Sequence, residues 1–263
     1  MIHPTAPHDD QTEPMSPSSH DLEAPVTISY GAGLPDESEL RLCSQVGPGT
    51  RSLELGVSDQ MNALAFASAG SHSIAVDPDP ARIEALRSAA TARELHVQCQ
   101  VADHADLGFA TSASVDLVLA NRTIAAVADL GRLMRQVHRL LKTERPFVIV
   151  IDHPFARLVH QLAAGGPADP YGARERTIEA WYTALVRSNF TVDTIHELSG
   201  FIPTGAPAVD LPPGMTAPGL SGLDPATTST TTSTTTSAAT SATAPQRVDA
   251  PDTLILRARK LGS

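Results

Sequence analysis

One run constrains the fold of this chain more than any other: Arg51-Ser-Leu-Glu-Leu-Gly56, followed by Val-Ser-Asp-Gln-Met-Asn62. A short apolar strand enters a turn through a glycine, and a helix is predicted over 63–69. Such a unit belongs in an α/β domain, where backbone amides and a helix N-terminus are brought up to a ligand. About twenty residues on, the run His72-Ser-Ile-Ala-Val-Asp77 ends in an acid. In folds of this kind that position hydrogen-bonds ribose hydroxyls. A glycine turn followed by a ribose acid predicts a nucleotide-like ligand.

The rest of the chain extends the alternation. Apolar, β-rich runs at 51–56, 72–77, 95–101, 114–120 and 146–152 read as strands buried on both faces of a parallel sheet. Asp79 and Pro80 open one helix as N-cap and first helical residue. Asp129 opens another, with Leu130, Leu133, Met134, Val137, Leu140 and Leu141 on one stripe at helical spacing. A third runs from Thr177 to Arg187, and a short one is expected within 35–46. Two strands, 190–197 and 252–259, then follow with no helix between them, which predicts an antiparallel pair.

Residues 1–25 are rich in Pro, Ser, His and Asp and are expected to be a disordered tail. The domain is expected over 26–260, with a Pro/Ser/Thr-rich insert at about 203–250 that contains an unbroken Thr/Ser tract at 227–237.

Composition narrows the function. The chain has 263 residues and a formal charge of −10, with 19 basic residues against 29 acidic ones. That field opposes polyphosphate, so nucleic acid is not expected as a partner. Cys43 and Cys99 lack metal or redox spacing, and the histidines show no ligand pattern, so no metal site is expected. No apolar run is long enough for a membrane span and no secretory signal is seen, so no membrane association and a cytoplasmic location are expected.

Several further segments carry a family resemblance: Tyr30-Gly-Ala-Gly-Leu-Pro35, Glu39-Leu-Arg-Leu42 and Leu53-Glu-Leu-Gly56, then Ser114 to Ala120, Gln136 to Lys142, Phe147 to Val150 and Asp152-His-Pro-Phe155. Together with Thr177 to Phe190 and Asp252 to Lys260, they resemble the class I S-adenosylmethionine-dependent methyltransferases. The resemblance implies a Rossmann-like α/β fold: a mostly parallel seven-stranded sheet with an antiparallel last strand and helices on both faces. It implies S-adenosyl-L-methionine as cofactor and a small-molecule methyl acceptor whose identity the sequence leaves open, as it does the oligomeric state.

Position by position, the resemblance puts Glu54 and Gly56 near the methionine amino group, with Ser58 in the turn. It puts Asp77 and Pro78 at the ribose; Ala102, Asp103 and His104 at the adenine; and Asn121 over the transferable methyl. Asp77 also reads as a turn former before Pro78, and Asp103 as a loop cap. His153 is a candidate general base, or else a histidine bonded to backbone before Pro154. The turn departs from the family, because Ser58 and Gln60 stand where glycines are usual and Asp59 adds a carboxylate. Glycine is used where a side chain would crowd the ligand or force an unfavourable positive φ. The alternative is therefore a degenerate methyltransferase-like protein with a binding or scaffold role.

The tail and insert lack the apolar content to offset ordering costs of ~1–2 kcal/mol per residue. Deleting residues 1–24 and 225–244 is expected to leave cofactor binding unchanged and the melting temperature level or slightly raised. Thermal melts of full and trimmed proteins check this, and a loss of several degrees would mean that the insert packs.

Overall fold

The computed structural model describes residues 26–163, 170–172, 176–200 and 251–262. The expected tail at 1–25 and the expected insert at about 203–250 lie outside the described residues. The strands are β1 (Arg51–Leu55), β2 (His72–Asp77), β3 (Val97–Val101), β4 (Leu117–Asn121), β5 (Pro146–Asp152), β6 (Phe190–Leu198) and β7 (Thr253–Lys260). The helices are α1 (Glu37–Leu40), α2 (Asn62–Ser68), α3 (Pro80–Ala92), α4 (Leu130–Leu140), α5 (Pro154–Ala163) and α6 (Ile178–Arg187).

The strands form one seven-stranded sheet in the order β3-β2-β1-β4-β5-β7-β6. β1 to β5 run parallel, and β7 lies antiparallel between β5 and β6. This is the expected Rossmann-like architecture. The helix starts obey local capping chemistry. Asp79 accepts from Ala81 N–H with Pro80 at the first helical position, and Asp129 and Thr177 cap α4 and α6 in the same way. Helix α5 is absent from the sequence-based expectation, although Pro154 is a suitable first residue.

Alternate residues of each strand serve opposite faces. Leu53, Leu55, Val118, Ala120, Phe147, Ile149, Leu254 and Leu256 share a core with Leu133, Met134 and Val137 of α4 and Trp181 and Leu185 of α6. On the other face Leu117, Leu119, Val148, Val150 and Ile255 pack with Ile28, Tyr30, Leu42, Cys43 and Phe66. The segment before β1 is therefore part of the core. It is tied there by Glu37, whose carboxylate accepts from the Leu42 and Cys43 N–H groups at 2.9 Å each and from the buried Tyr30 hydroxyl. Burial pushes the Tyr30 phenol far above its ordinary range, with Cys43 and Glu37 adding to it.

At the edge where β1 and β4 begin, Asp116 is only 5% exposed. It accepts from Arg51 N–H at 3.0 Å and from Lys142 Nζ at 2.8 Å, and Arg145 Nε stands 3.4 Å away. Burial alone would raise its pKa. Lys142, the Arg51 amide and Arg145 outweigh that and hold the carboxyl below its usual range. A depressed native pKa means that its stabilisation is present above the unfolded value of about 3.9 and is lost as pH falls through the native value. We expect Asp116→Asn to cost roughly 1–3 kcal/mol at pH 7. The deficit should shrink toward zero in strongly acidic solution, and urea titrations across pH check it.

Candidate functional site

In the sheet order, β1 has β2 on one side and β4 on the other, and the chain reverses its direction of travel across the sheet there. A reversal of this kind leaves a crevice outside the carboxyl ends of the strands, where ligands bind in open α/β sheets. The ends of β1, β2, β3 and β4 therefore define the candidate site, and nearly all the predicted binding residues stand there.

Glu54, next to the last residue of β1, is fully buried. Its Oε1 accepts from Ser58 N–H (3.1 Å), Ser58 Oγ (2.7 Å) and Asn62 N–H (3.2 Å), and its Oε2 from Ala63 N–H (2.8 Å). Burial raises its pKa against the pull of Ser58, Ala63 and Asn62. Every one of these partners is a donor, an arrangement that suits a carboxylate. Met61, which precedes α2, has a left-handed backbone (φ 46°) and makes no side-chain cap. Glu54 supplies that cap from the neighbouring strand. The first amides of α2, those of Asn62 and Ala63, are thus taken by Glu54.

The departures from glycine in the turn are resolved differently at each position. Neither Ser58 nor Gln60 has a positive φ; the left-handed residues of the turn are Gly56 (φ 81°) and Met61. Ser58 points inward to Glu54 and is 4% exposed. Gln60 points the other way, and its Oε1 accepts from Asn121 Nδ2 at 3.0 Å. Gly56 is required twice over, by its φ and because a Cβ there would lie 2.2 Å from the Thr123 Cβ.

Asp77 is 4% exposed. Its Oδ2 accepts from Val57 N–H and its Oδ1 from Asp79 N–H, both at 2.8 Å. The acid thus ties the β1 turn to the end of β2, and each carboxylate oxygen has capacity for a second bond. Pro78 is exposed beside it. Ala102 N–H donates to the Asp77 carbonyl at 3.2 Å, setting the loop after β3 alongside. In that loop Asp103 accepts from Ala105 N–H at 2.7 Å, as an Asx turn does. His104 Nε2 is buried with no hydrogen-bond partner. Burial lowers the His104 pKa, opposed by Asp77 and Asp103. A buried imidazole nitrogen without a partner, in the field of two acids, suits a ligand with polar edges, such as a nucleoside.

Asn121, at the end of β4, is 1% exposed. Its Nδ2 donates to Ser29 O (3.2 Å) as well as to Gln60. Ser29 is in turn held to Asn62 by two bonds, Ser29 N–H to Oδ1 (2.9 Å) and Nδ2 to Ser29 O (3.0 Å). Next in sequence, Arg122 donates to Tyr30 O (2.7 Å), Asp152 Oδ1 (2.9 Å) and Thr253 Oγ1 (2.6 Å). Sequence reasoning missed Ser29, Asn62 and Arg122. The one available signal was Asn62, a polar residue opening a mostly apolar helix.

His153 is 4% exposed. Its Nδ1 accepts from Phe155 N–H at 3.1 Å, which puts the ring proton on Nε2, facing Glu197 Oε1 at 3.0 Å. Both ring nitrogens are engaged within the protein. The geometry is that of the backbone-bonded alternative, with Glu197 added. Among the described residues no three His, Cys, Asp or Glu side chains group as a metal site, and no helix is long and apolar enough to cross a membrane.

Residues 53–149, from β1 into β5, match the family model described as methyltransferase domain. Among solved structures, a Listeria monocytogenes protein assigned as an S-adenosylmethionine-dependent methyltransferase superposes with a TM-score of 0.59. It has 13% identity and covers 86% of this chain and 98% of its own. An S-adenosylmethionine-dependent methyltransferase from Mesorhizobium loti gives 0.56 at 18% identity, covering 85% and 96%. One from Methanosarcina mazei gives 0.56 at 15%, covering 85% and 97%. No curated protein matches the sequence.

The internal ligation of Glu54 generates a prediction. Glu54→Gln keeps one acceptor oxygen and turns an NH₂ group toward amide donors. We expect a loss of roughly 2–4 kcal/mol in urea denaturation of the protein without cofactor. A loss below about 1 kcal/mol would mean that this cap does not hold the turn.

Proposed function

We propose that this chain, whose residues 53–149 match the methyltransferase domain family and whose fold is that of the class I S-adenosylmethionine-dependent methyltransferases, methylates a small molecule. The observation that carries the reading is the coincidence of the matched segment with the crevice at the sheet's reversal point. S-adenosyl-L-methionine, the cofactor of the family, supplies an electrophilic methyl group on a good leaving group. In this reading Asp77 and Pro78 meet the ribose, and Ala102, Asp103 and His104 meet the adenine. The orphaned His104 Nε2 and the unused lone pairs of Asp77 support that fit.

Gly56 lets the backbone pass close beneath the ligand, while Glu54 and Ser58 hold the turn from behind. Asn121 lies where the methyl group would be presented. Transfer to a nucleophile needs chiefly in-line positioning in a pocket that excludes water. The engagement of both His153 nitrogens is therefore compatible with catalysis: His153 would fix the ends of β5 and β6 and move no proton. The formal charge of −10 supports a small acceptor over nucleic acid.

The test is calorimetric titration with S-adenosyl-L-methionine and with S-adenosyl-L-homocysteine. We expect dissociation constants below a millimolar and a matching rise in melting temperature as ligand exceeds the dissociation constant. Folded protein that gives neither heat nor a thermal shift with either compound would overturn the reading.

A further inference from the structure

The crevice between β1 and β4 is crossed by side chains of the protein itself. Gln60 reaches from the β1 turn to Asn121 at the end of β4, 3.0 Å from Oε1 to Nδ2. The same Nδ2 holds Ser29 O at 3.2 Å, and Ser29 is bound to Asn62 at the start of α2. Three segments are thus stitched together over the place where a ligand must enter. Two of the three stitches are structural: Asn62 is fully buried and Asn121 nearly so, and Ser29 uses both its backbone groups. Gln60 differs. It is only half-buried, it precedes the helix, and its side-chain amide is held across the crevice by the bond to Asn121. Its backbone φ is ordinary, so the side chain is not placed by strain.

We propose that the Gln60–Asn121 hydrogen bond is a latch that competes with the cofactor for the crevice, so that cofactor binding requires the Gln60 amide to swing out. This rests on the cofactor reading above and adds a regulatory property to the same site. A net intramolecular hydrogen bond shifts a closed–open equilibrium only modestly. The observed dissociation constant exceeds the intrinsic one by the inverse of the open fraction.

Removing the latch should therefore tighten binding. By calorimetry with S-adenosyl-L-homocysteine, Gln60→Ala is expected to bind roughly 3- to 10-fold more tightly than the natural protein, with a melting temperature in the absence of ligand lowered by about 2–4 °C. Gln60→Met keeps the length of the side chain but cannot replace the amide acceptor, and it should also tighten binding. Natural protein that binds as well as or better than Gln60→Ala would overturn the latch and leave the cofactor reading standing. Tightening by Ala but not by Met would overturn the hydrogen bond as the cause. No binding by any of the three folded proteins would overturn the cofactor reading and the latch with it.

Discussion

The Glu54 carboxylate, buried and bonded to Ser58, Asn62 and Ala63, is the interaction on which the rest of the crevice depends. It fixes the path of the chain out of β1, supplies the cap that Met61 cannot, and thereby sets where α2 begins. The start of α2 places Asn62, Asn62 holds Ser29, and Ser29 meets Asn121. Three segments far apart in sequence, around residues 29, 54–63 and 121, are positioned in turn by one acid. An ionised group away from water is stable only if its lone pairs are filled, so these positions are physically coupled.

This coupling explains why a turn with serine at 58 and glutamine at 60 holds its shape. Glycine relieves two different pressures, positive φ and crowding. Here the positive φ falls on Gly56 and Met61, so position 58 accepts a serine that serves Glu54. Crowding persists at position 60, and it is met by aiming the glutamine across the crevice to an amide partner. The two substitutions look alike in sequence and have opposite consequences for the site.

The fold was legible because its signals are local and repeated. Apolar runs of strand length, Asp–Pro and Asp caps, and a helical stripe in α4 each act within a few residues and agree with one another. Strand ends moved by a few residues where the chain paired differently, as at 114–116, where Val115 bridges Leu141 and Asp116 turns to Lys142 and Arg145. The positions of Asp77, Asp103 and Asn121 were legible too, since strand ends locate them. Ser29, Asn62, Arg122 and the aim of Gln60 were not. Each is set by a partner at least thirty positions away, and no spacing rule encodes such a pairing.

One further feature bears on how such a chain can change over time. Strands β6 and β7 are neighbours, with Leu198 opposite Thr253, and their junction is fastened on both sides: Asp252 N–H donates to Leu198 O, and Gly200 N–H to the Asp252 carboxylate, each at 2.9 Å. Whatever connects residues 200 and 251 leaves and returns at a clasp whose register the sheet has already set. Closure entropy rises only as the logarithm of length, about 0.6 kcal/mol for each doubling. The clasp is therefore an insertion port. Sequence can accumulate, shorten or be exchanged there with little penalty to the sheet, on the same edge of the molecule as the crevice.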